Sequence, residues 1–241
     1  MTLSELAMRQ LSGASTATLT SLLYKRGLRN VFIQNARPLK PGQRLLGPAF
    51  TLRYIPARED LDGLEVFRDP RHPQRVAVEE MPAGSVLVMD CRGDVSVASA
   101  GSILATRMQV RGAAGIVTDG GLRDAAGIAA LDMPAYCSGA SAPTNLIKHH
   151  ALDLNAPIGC GGVPVYPGDI MVGDDDGVVC IPAHMAEEIA AAAHEMERFE
   201  AFVLEEVLRG VPVIGLYPAT DPDTKVRYHA WLAARGETPA P

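Results

Sequence analysis

Apolar positions along this chain recur at two spacings, one suited to helices and one to strands. In SGASTATLTSLLYKRGLRN, Leu19, Leu22 and Leu23 form a helical stripe behind Ser and Thr residues that suit an N-cap, and Gly27 marks a stop. A turn at Pro41-Gly42 then precedes a strand over residues 49–55. The continuous apolar run 86–89, ending in Asp90, predicts a buried strand. In GSILATRMQVRG, Ile103, Leu104, Met108 and Val110 fall partly at helical spacing, with Ser102 as N-cap and Gly112 as stop. Residues 113–117 form another strand, followed by a glycine turn, a short helix within LRDAAGIAALDM, and the segment PAYC. That strand–helix–strand order predicts a right-handed crossover joining a parallel pair.

Further on the pattern changes. APIGCGGVPVYPGDIMVGDDDGVVCIP carries short strands broken by Gly-Gly, Pro167-Gly168-Asp169 and Asp176-Gly177, the chemistry of hairpins and corners rather than crossovers. AHMAEEIAAAAHEMERFEAFVLEEVLRG predicts a long helix, and the tail one more from near Pro222-Asp223. Residues 58–75, dense in charge, predict an excursion from the core: a solvated loop, or else a lid or subunit contact. The expected architecture is a single α/β domain with peripheral N- and C-terminal helices.

Composition narrows the classes. A net charge of −6 and a 5% aromatic share leave no footprint for nucleic acid, while 47% hydrophobic residues suffice for a core. The first residues are too polar for a signal peptide and no run reaches membrane-spanning length, so a cytoplasmic protein without membrane contact is expected. Cys91, Cys137, Cys160 and Cys180 form no C-x-x-C pair and predict reduced thiols.

Candidate chemistry concentrates in VTDGGLRDAAG. In a compact β-α-β unit the start of the helix at Gly101–Ser102 and the end of the next strand share an edge. The free N–H groups of Ser102, Ile103 and Leu104 then face Arg123 and Asp124. A helix N-terminus favours anions, an arginine fork suits a carboxylate or keto oxygen, and one aspartate suits a magnesium-class cation. Side chains of adjacent residues diverge, so the two charges can address different parts of one ligand, an α-keto acid with a metal, and stabilise an enolate. The alternative is a helix cap with a surface ion pair. Other candidates are weaker: His149-His150 diverge as they would on a helix, the Asp174–Asp176 run lacks calcium-loop spacing, and GCGG lacks the Lys-Ser/Thr of a phosphate loop. None of Lys25, Lys40, Lys148 or Lys225 sits at an apolar strand end as a Schiff-base lysine would, and Arg53, Arg58 and Arg92 are open to a carboxylated substrate or to solvent.

The stretches LLGPAFTLRY, GIVTDGGLRD and VYPGDIMVGDDDGVVCIP resemble the RraA-like family. That family holds the 4-hydroxy-4-methyl-2-oxoglutarate/4-carboxy-4-hydroxy-2-oxoadipate aldolases and the regulators of ribonuclease activity. The resemblance covers about residues 15–202, with 58–75 and a tail over about 211–241 as additions to one domain spanning 1–241. It implies a swivelling β/β/α fold assembled as homotrimers or homohexamers, with sites between subunits. In the aldolases it implies Arg123 on the pyruvyl oxygen, Asp124 holding Mg²⁺ or Mn²⁺ partly through water, and the carboxylate on amides at the helix start, Gly101 to Leu104. A glutamate of a neighbouring subunit joins the metal's water shell, and Glu197 and Glu200 both qualify. The implied reaction cleaves a 4-hydroxy-2-oxo acid to pyruvate and a second carbonyl compound, with oxaloacetate decarboxylation as a side activity. The implied alternative is a ring that binds and inhibits a ribonuclease. One position departs from the aldolase pattern, which has an aspartate where this chain has Ser102, and a hydroxyl cannot serve as a carboxylate base, so either Asp90, Asp94 or another acid substitutes or the activity differs.

Overall fold

The computed structural model describes residues 3–238, so the outermost residues of the chain-long domain and of the tail expected over 211–241 lie outside the described residues. Its centre is the strand Leu45–Pro56, 12 residues long. The first part of this strand pairs antiparallel with Ile170–Asp174, the middle pairs parallel with Val86–Asp90, and the end pairs antiparallel with His149–Leu154. The strands Gly115–Thr118 and Ala135–Cys137 extend the parallel run, so the predicted parallel pair, with a helix between its strands, is present. Residues 86–89 and 115–118 are buried on both faces, which is why they read as unbroken apolar runs.

Helices cover the sheet in groups. We label them α1 (Glu5–Gly13), α2 (Thr16–Lys25), α3 (Pro73–Glu80), α4 (Ser102–Val110), α5 (Ala125–Ala129), α6 (Ala186–Leu208) and α7 (Pro222–Ala233). Leu11 of α1, Leu19 and Leu23 of α2 and Ile189 of α6 bury themselves against Val172 and Val179 of the hairpin Ile170–Asp174/Gly177–Ile181. Ala77 and Val78 of α3, Ala105 and Met108 of α4 and Ile128 of α5 pack against Leu52, Leu87, Met89 and Ile116 of the sheet. The end of α6 and α7 form a separate cluster around Phe202, Tyr228 and Leu232. None of the helices among the described residues is long and apolar enough to cross a membrane.

Several local expectations need correction. Residues 58–75 are not wholly a loop: Leu64–Arg68 forms a 3-10 turn and α3 starts at Pro73, whose fixed φ suits a first helical residue. The N-cap of α4 is Gly101, with Ser102 as the first helical residue. That of α7 is Asp221, one residue earlier than Pro222. His149 and His150 lie on a strand rather than a helix: His149 is buried, and His150 Nδ1 lies 2.8 Å from Asp62 Oδ1.

A second, short parallel sheet positions the chemistry. Its strands are Ala98–Ala100, Gly121–Leu122 and Gly139–Ala140. The latter two follow directly on the main-sheet strands Gly115–Thr118 and Ala135–Cys137. The double glycine of DGG is therefore not a positive-φ turn, as neither residue lies in the left-handed region. It is required for close packing: a Cβ on Gly120 would lie 2.6 Å from that of Cys91, and one on Gly121 would lie 2.8 Å from Val97 O. Asp119, just before them, is buried and accepts N–H bonds from Cys91 (2.6 Å), Gly93 (2.9 Å) and Gly161 (3.1 Å), which joins three loops. Burial nevertheless raises its carboxyl above the ordinary range.

Candidate active site

The carboxyl ends of parallel strands are where open α/β sheets bind ligands, because the loops there diverge. Here the short strand Ala98–Ala100 leads through Gly101 into α4, and Gly121–Leu122 leads through Arg123 and Asp124 into α5. Both exits open on one cleft of about 240 Å³. Gly101, Ser102, Ile103, Leu104, Arg123 and Asp124, singled out from the sequence, all line it.

Asp124 adopts the left-handed conformation (φ 56°, ψ 40°), uncommon for a residue with a side chain. It occupies the N-cap position of α5 without capping it, and its carboxylate turns to α4 instead. Oδ2 accepts from Ser102 N at 3.3 Å and from Ser102 Oγ at 3.0 Å. These two bonds, backbone first, lower the Asp124 pKa below the usual aspartate value, and the Arg123 charge assists. Arg123 Nε lies 3.8 Å from Asp124 Oδ2. The adjacent charges thus converge rather than diverge, with Asp124 in the left-handed region. Gly101 permits this approach: a Cβ there would lie 2.7 Å from Arg123 Cγ.

What remains free is as informative. Among the described residues the N–H groups of Ile103 and Leu104 meet no acceptor, as expected in a first helical turn. Arg123 and Asp124 are each about half exposed, with the arginine's terminal nitrogens unpaired among the described residues. One cleft therefore offers two anion-seeking amides, a guanidinium and a carboxylate. The described residues contain no cluster of three or more His, Cys, Asp or Glu that could hold a metal. A single aspartate fits only a cation that keeps most of its waters or takes ligands from the substrate.

The other candidates lie elsewhere. Glu197 accepts from Ser15 N (2.7 Å), and Glu200 accepts from Thr18 Oγ1 (3.3 Å) and Tyr217 OH (2.6 Å), so within one chain both bind the start of α2 or the α6–α7 connection. Arg53 pairs with Asp153 (2.6 Å), Arg58 with Asp60 (2.7 Å), and Arg92 donates to Lys148 O (2.9 Å). Asp90 and Asp94 accept from nearby backbone N–H groups and do not line the cleft. Asp174–Asp176 form the expected hairpin turn, and Asp174 also caps α2 through Thr16 N (2.7 Å).

Sequence reasoning missed the opposite wall, which comes from the segment 58–75 and the start of α3. Phe67, Gln74 and Arg75 line the cleft. Gln74 is buried and donates to Ser99 O (2.6 Å) and Tyr54 OH (3.2 Å), locking α3 to the strand Ala98–Ala100. No spacing pattern announces this, although the Pro73 helix start was available as a signal.

Comparison with known proteins bears on the fold and the family. The family model for RraA-like proteins, described as Aldolase/RraA, matches residues 16–180. The chain is 34% identical over 171 residues, 71% of its length and 75% of the relative's, to a Halalkalibacterium halodurans protein named "Putative 4-hydroxy-4-methyl-2-oxoglutarate aldolase". It is 25% identical to the Legionella pneumophila protein DlpA, covering 76% of this chain but only 28% of DlpA. Among solved structures, Streptomyces coelicolor RraAS2, described as an unusual member of the RNase ES inhibitor RraA family, superposes with a TM-score of 0.75 at 31% identity, covering 85% of this chain and all of that one. An uncharacterised Pseudomonas syringae protein shares the fold, with a TM-score of 0.77 at 22% identity over 90% of this chain and 99% of its own. The architecture, the cleft at the DGGLRD turn and these matches lead to one conclusion: this chain is a member of the RraA-like family.

Proposed function

We propose that this protein is a divalent-metal-dependent lyase that cleaves a 4-hydroxy-2-oxo acid to pyruvate and a second carbonyl compound. The observation that carries the reading is the convergence of Arg123, Asp124 and the open N-terminus of α4 on one cleft. The 34% identical relative with an aldolase name supports it.

The N–H groups of Ile103 and Leu104 receive the 2-oxo carboxylate, at the positive end of the α4 dipole. Arg123 donates to the keto oxygen, where negative charge develops as the C3–C4 bond breaks and its electron pair moves into the enolate. The C4 hydroxyl becomes the carbonyl of the second product and gives its proton to water, which reaches the half-exposed side chains. Protonation at C3 completes pyruvate. Asp124 is the residue that would hold Mg²⁺ or Mn²⁺, an ion that supplies Lewis-acid polarisation of the substrate's oxygens. Ser102 orients the Asp124 carboxylate rather than acting as a base. The same enolate stabilisation would support oxaloacetate decarboxylation.

The test is pyruvate release from a panel of 4-hydroxy-2-oxo acids and oxaloacetate, with Mg²⁺ or Mn²⁺ and then with chelator. Metal-dependent release is expected. A folded protein that releases no pyruvate from any of them would overturn the reading. A second reading, a non-catalytic regulator that binds a ribonuclease, is favoured by the 31% identity to RraAS2 and by Ser102. Metal-independent, stoichiometric inhibition of a ribonuclease would establish it.

A further inference from the structure

We propose that Arg75 is a specificity-determining residue of this cleft, placed to pair with a second carboxylate at the distal end of the oxo acid. The inference rests on the lyase reading for the identity of the near end of the substrate, but not for the chemistry of the wall. Two guanidiniums, Arg75 and Arg123, line the cleft against one carboxylate, Asp124, in a chain that carries 28 acidic residues against 22 basic ones. Asp124 already lies 3.8 Å from Arg123 and is hydrogen-bonded to Ser102. Arg75 makes no ion pair and no side-chain hydrogen bond among the described residues, whereas Arg58 and Arg71 of the same segment pair with Asp60 (2.7 Å) and Asp69 (3.2 Å).

The conformation of Arg75 is set by an aromatic ring. Its guanidinium carbon lies 4.5 Å from the centroid of Phe67, whose ring meets His72 edge-on at 5.2 Å. The cation–π contact holds the guanidinium over the ring without using its N–H groups, and a guanidinium binds a carboxylate through two parallel N–H bonds. Burial, followed by the Arg75 charge, lowers the His72 pKa. The next residue back, Gln74, is anchored to Ser99 O, which holds Arg75 at a constant distance from the strand leading to Gly101. Asn145, 4% exposed, also lines the cleft, and its buried Nδ2 has no partner among the described residues.

The deciding experiment compares 2-oxoglutarate with 2-oxopentanoate by calorimetric titration in Mg²⁺. These acids share the 2-oxo carboxylate and differ only in a distal carboxylate against a methyl group. The wild-type protein is expected to bind 2-oxoglutarate about 10-fold tighter or more, and Arg75→Ala to weaken that binding by about 10- to 100-fold while leaving 2-oxopentanoate within about 2-fold. Arg75→Gln, which keeps the side-chain bulk, is expected to behave like the alanine variant. Equal wild-type affinity for the two acids, equal weakening of both by the variants, or binding of neither acid would overturn the proposal. A parallel assay compares cleavage of 4-hydroxy-2-oxoglutarate and 4-hydroxy-2-oxopentanoate. Discrimination in binding without cleavage of either would refute the lyase reading and leave Arg75 its role. Cleavage of both without discrimination would do the reverse.

Discussion

Asp124 and Ser102 are joined by two hydrogen bonds, Ser102 N–H at 3.3 Å and Ser102 Oγ–H at 3.0 Å, both to one carboxylate oxygen. The aspartate belongs to the start of one helix and serves the start of another. This pair determines how Asp124 responds to pH. Its folded-state pKa is lowered, so the charged form, and the stability it lends, is complete above the ordinary aspartate pKa and is lost as pH falls through the lowered value. Removing the hydroxyl with Ser102→Ala is expected to raise that pKa toward normal, read by carboxyl NMR titration. An unmoved titration would mean the hydroxyl bond contributes nothing to holding the charge.

Replacing the carboxylate tests its proposed role in holding a cation. Asp124 is about half exposed, so Asp124→Ala is expected to leave the melting temperature within a few degrees while abolishing metal-stimulated pyruvate release. Full metal-stimulated turnover in the variant would refute the assignment.

Arg123 is proposed to bind developing charge with its planar fork. Arg123→Lys substitutes a point charge, and a fall in kcat of about 10²- to 10³-fold is expected. Gly101→Ala reaches the same side chain indirectly, because the added methyl would lie 2.7 Å from Arg123 Cγ and push it aside. A loss of about 10²-fold is expected there, with little change in stability, measured by steady-state kinetics beside a melting curve. Normal kinetics in the alanine variant would show that Arg123 works from another position.

Gln74 links α3 to the strand Ala98–Ala100 through buried bonds to Ser99 O and Tyr54 OH. Truncation by Gln74→Ala removes a buried donor from these acceptors and is expected to cost about 1–3 kcal/mol. The measurement is the urea midpoint at unchanged slope.

The thiols provide a test of packing. All of Cys91, Cys137, Cys160 and Cys180 are buried, and burial raises each thiol's pKa, that of Cys91 to about 12. Thiolate is the reactive form, so none should react with a disulfide reagent at pH 8 in the native protein, and all four after unfolding. Fast reaction of any one in the native state would contradict the packing of the sheet around it.

How much of this could be read in advance depends on the range of the interaction. Apolar runs at 86–89 and 113–117, the glycine stops at Gly27 and Gly112, and the hairpins Ile158–Cys160/Val163–Val165 and Ile170–Asp174/Gly177–Ile181 are local features, each decided by a few neighbouring residues. The meeting of α4's N-terminus with Arg123–Asp124 was also legible, because the handedness of a β-α-β unit places those ends on one edge. The tertiary structure decided what local pattern cannot encode. Asp124 takes a left-handed conformation with its charge beside that of Arg123, and Gly120 and Gly121 are small because Ser141 and the segment 91–97 press on them, not because the chain turns there. Arg75 shares a cleft with Arg123 although 47 residues separate them, and only the docking of α3 through Gln74 brings that about. Sequence by itself determined the elements and one side of the cleft, because hydrogen bonds along a strand or helix and apolar spacing are short-range. The opposite wall arises from packing between distant segments, and the fold alone specifies which distant side chains face each other.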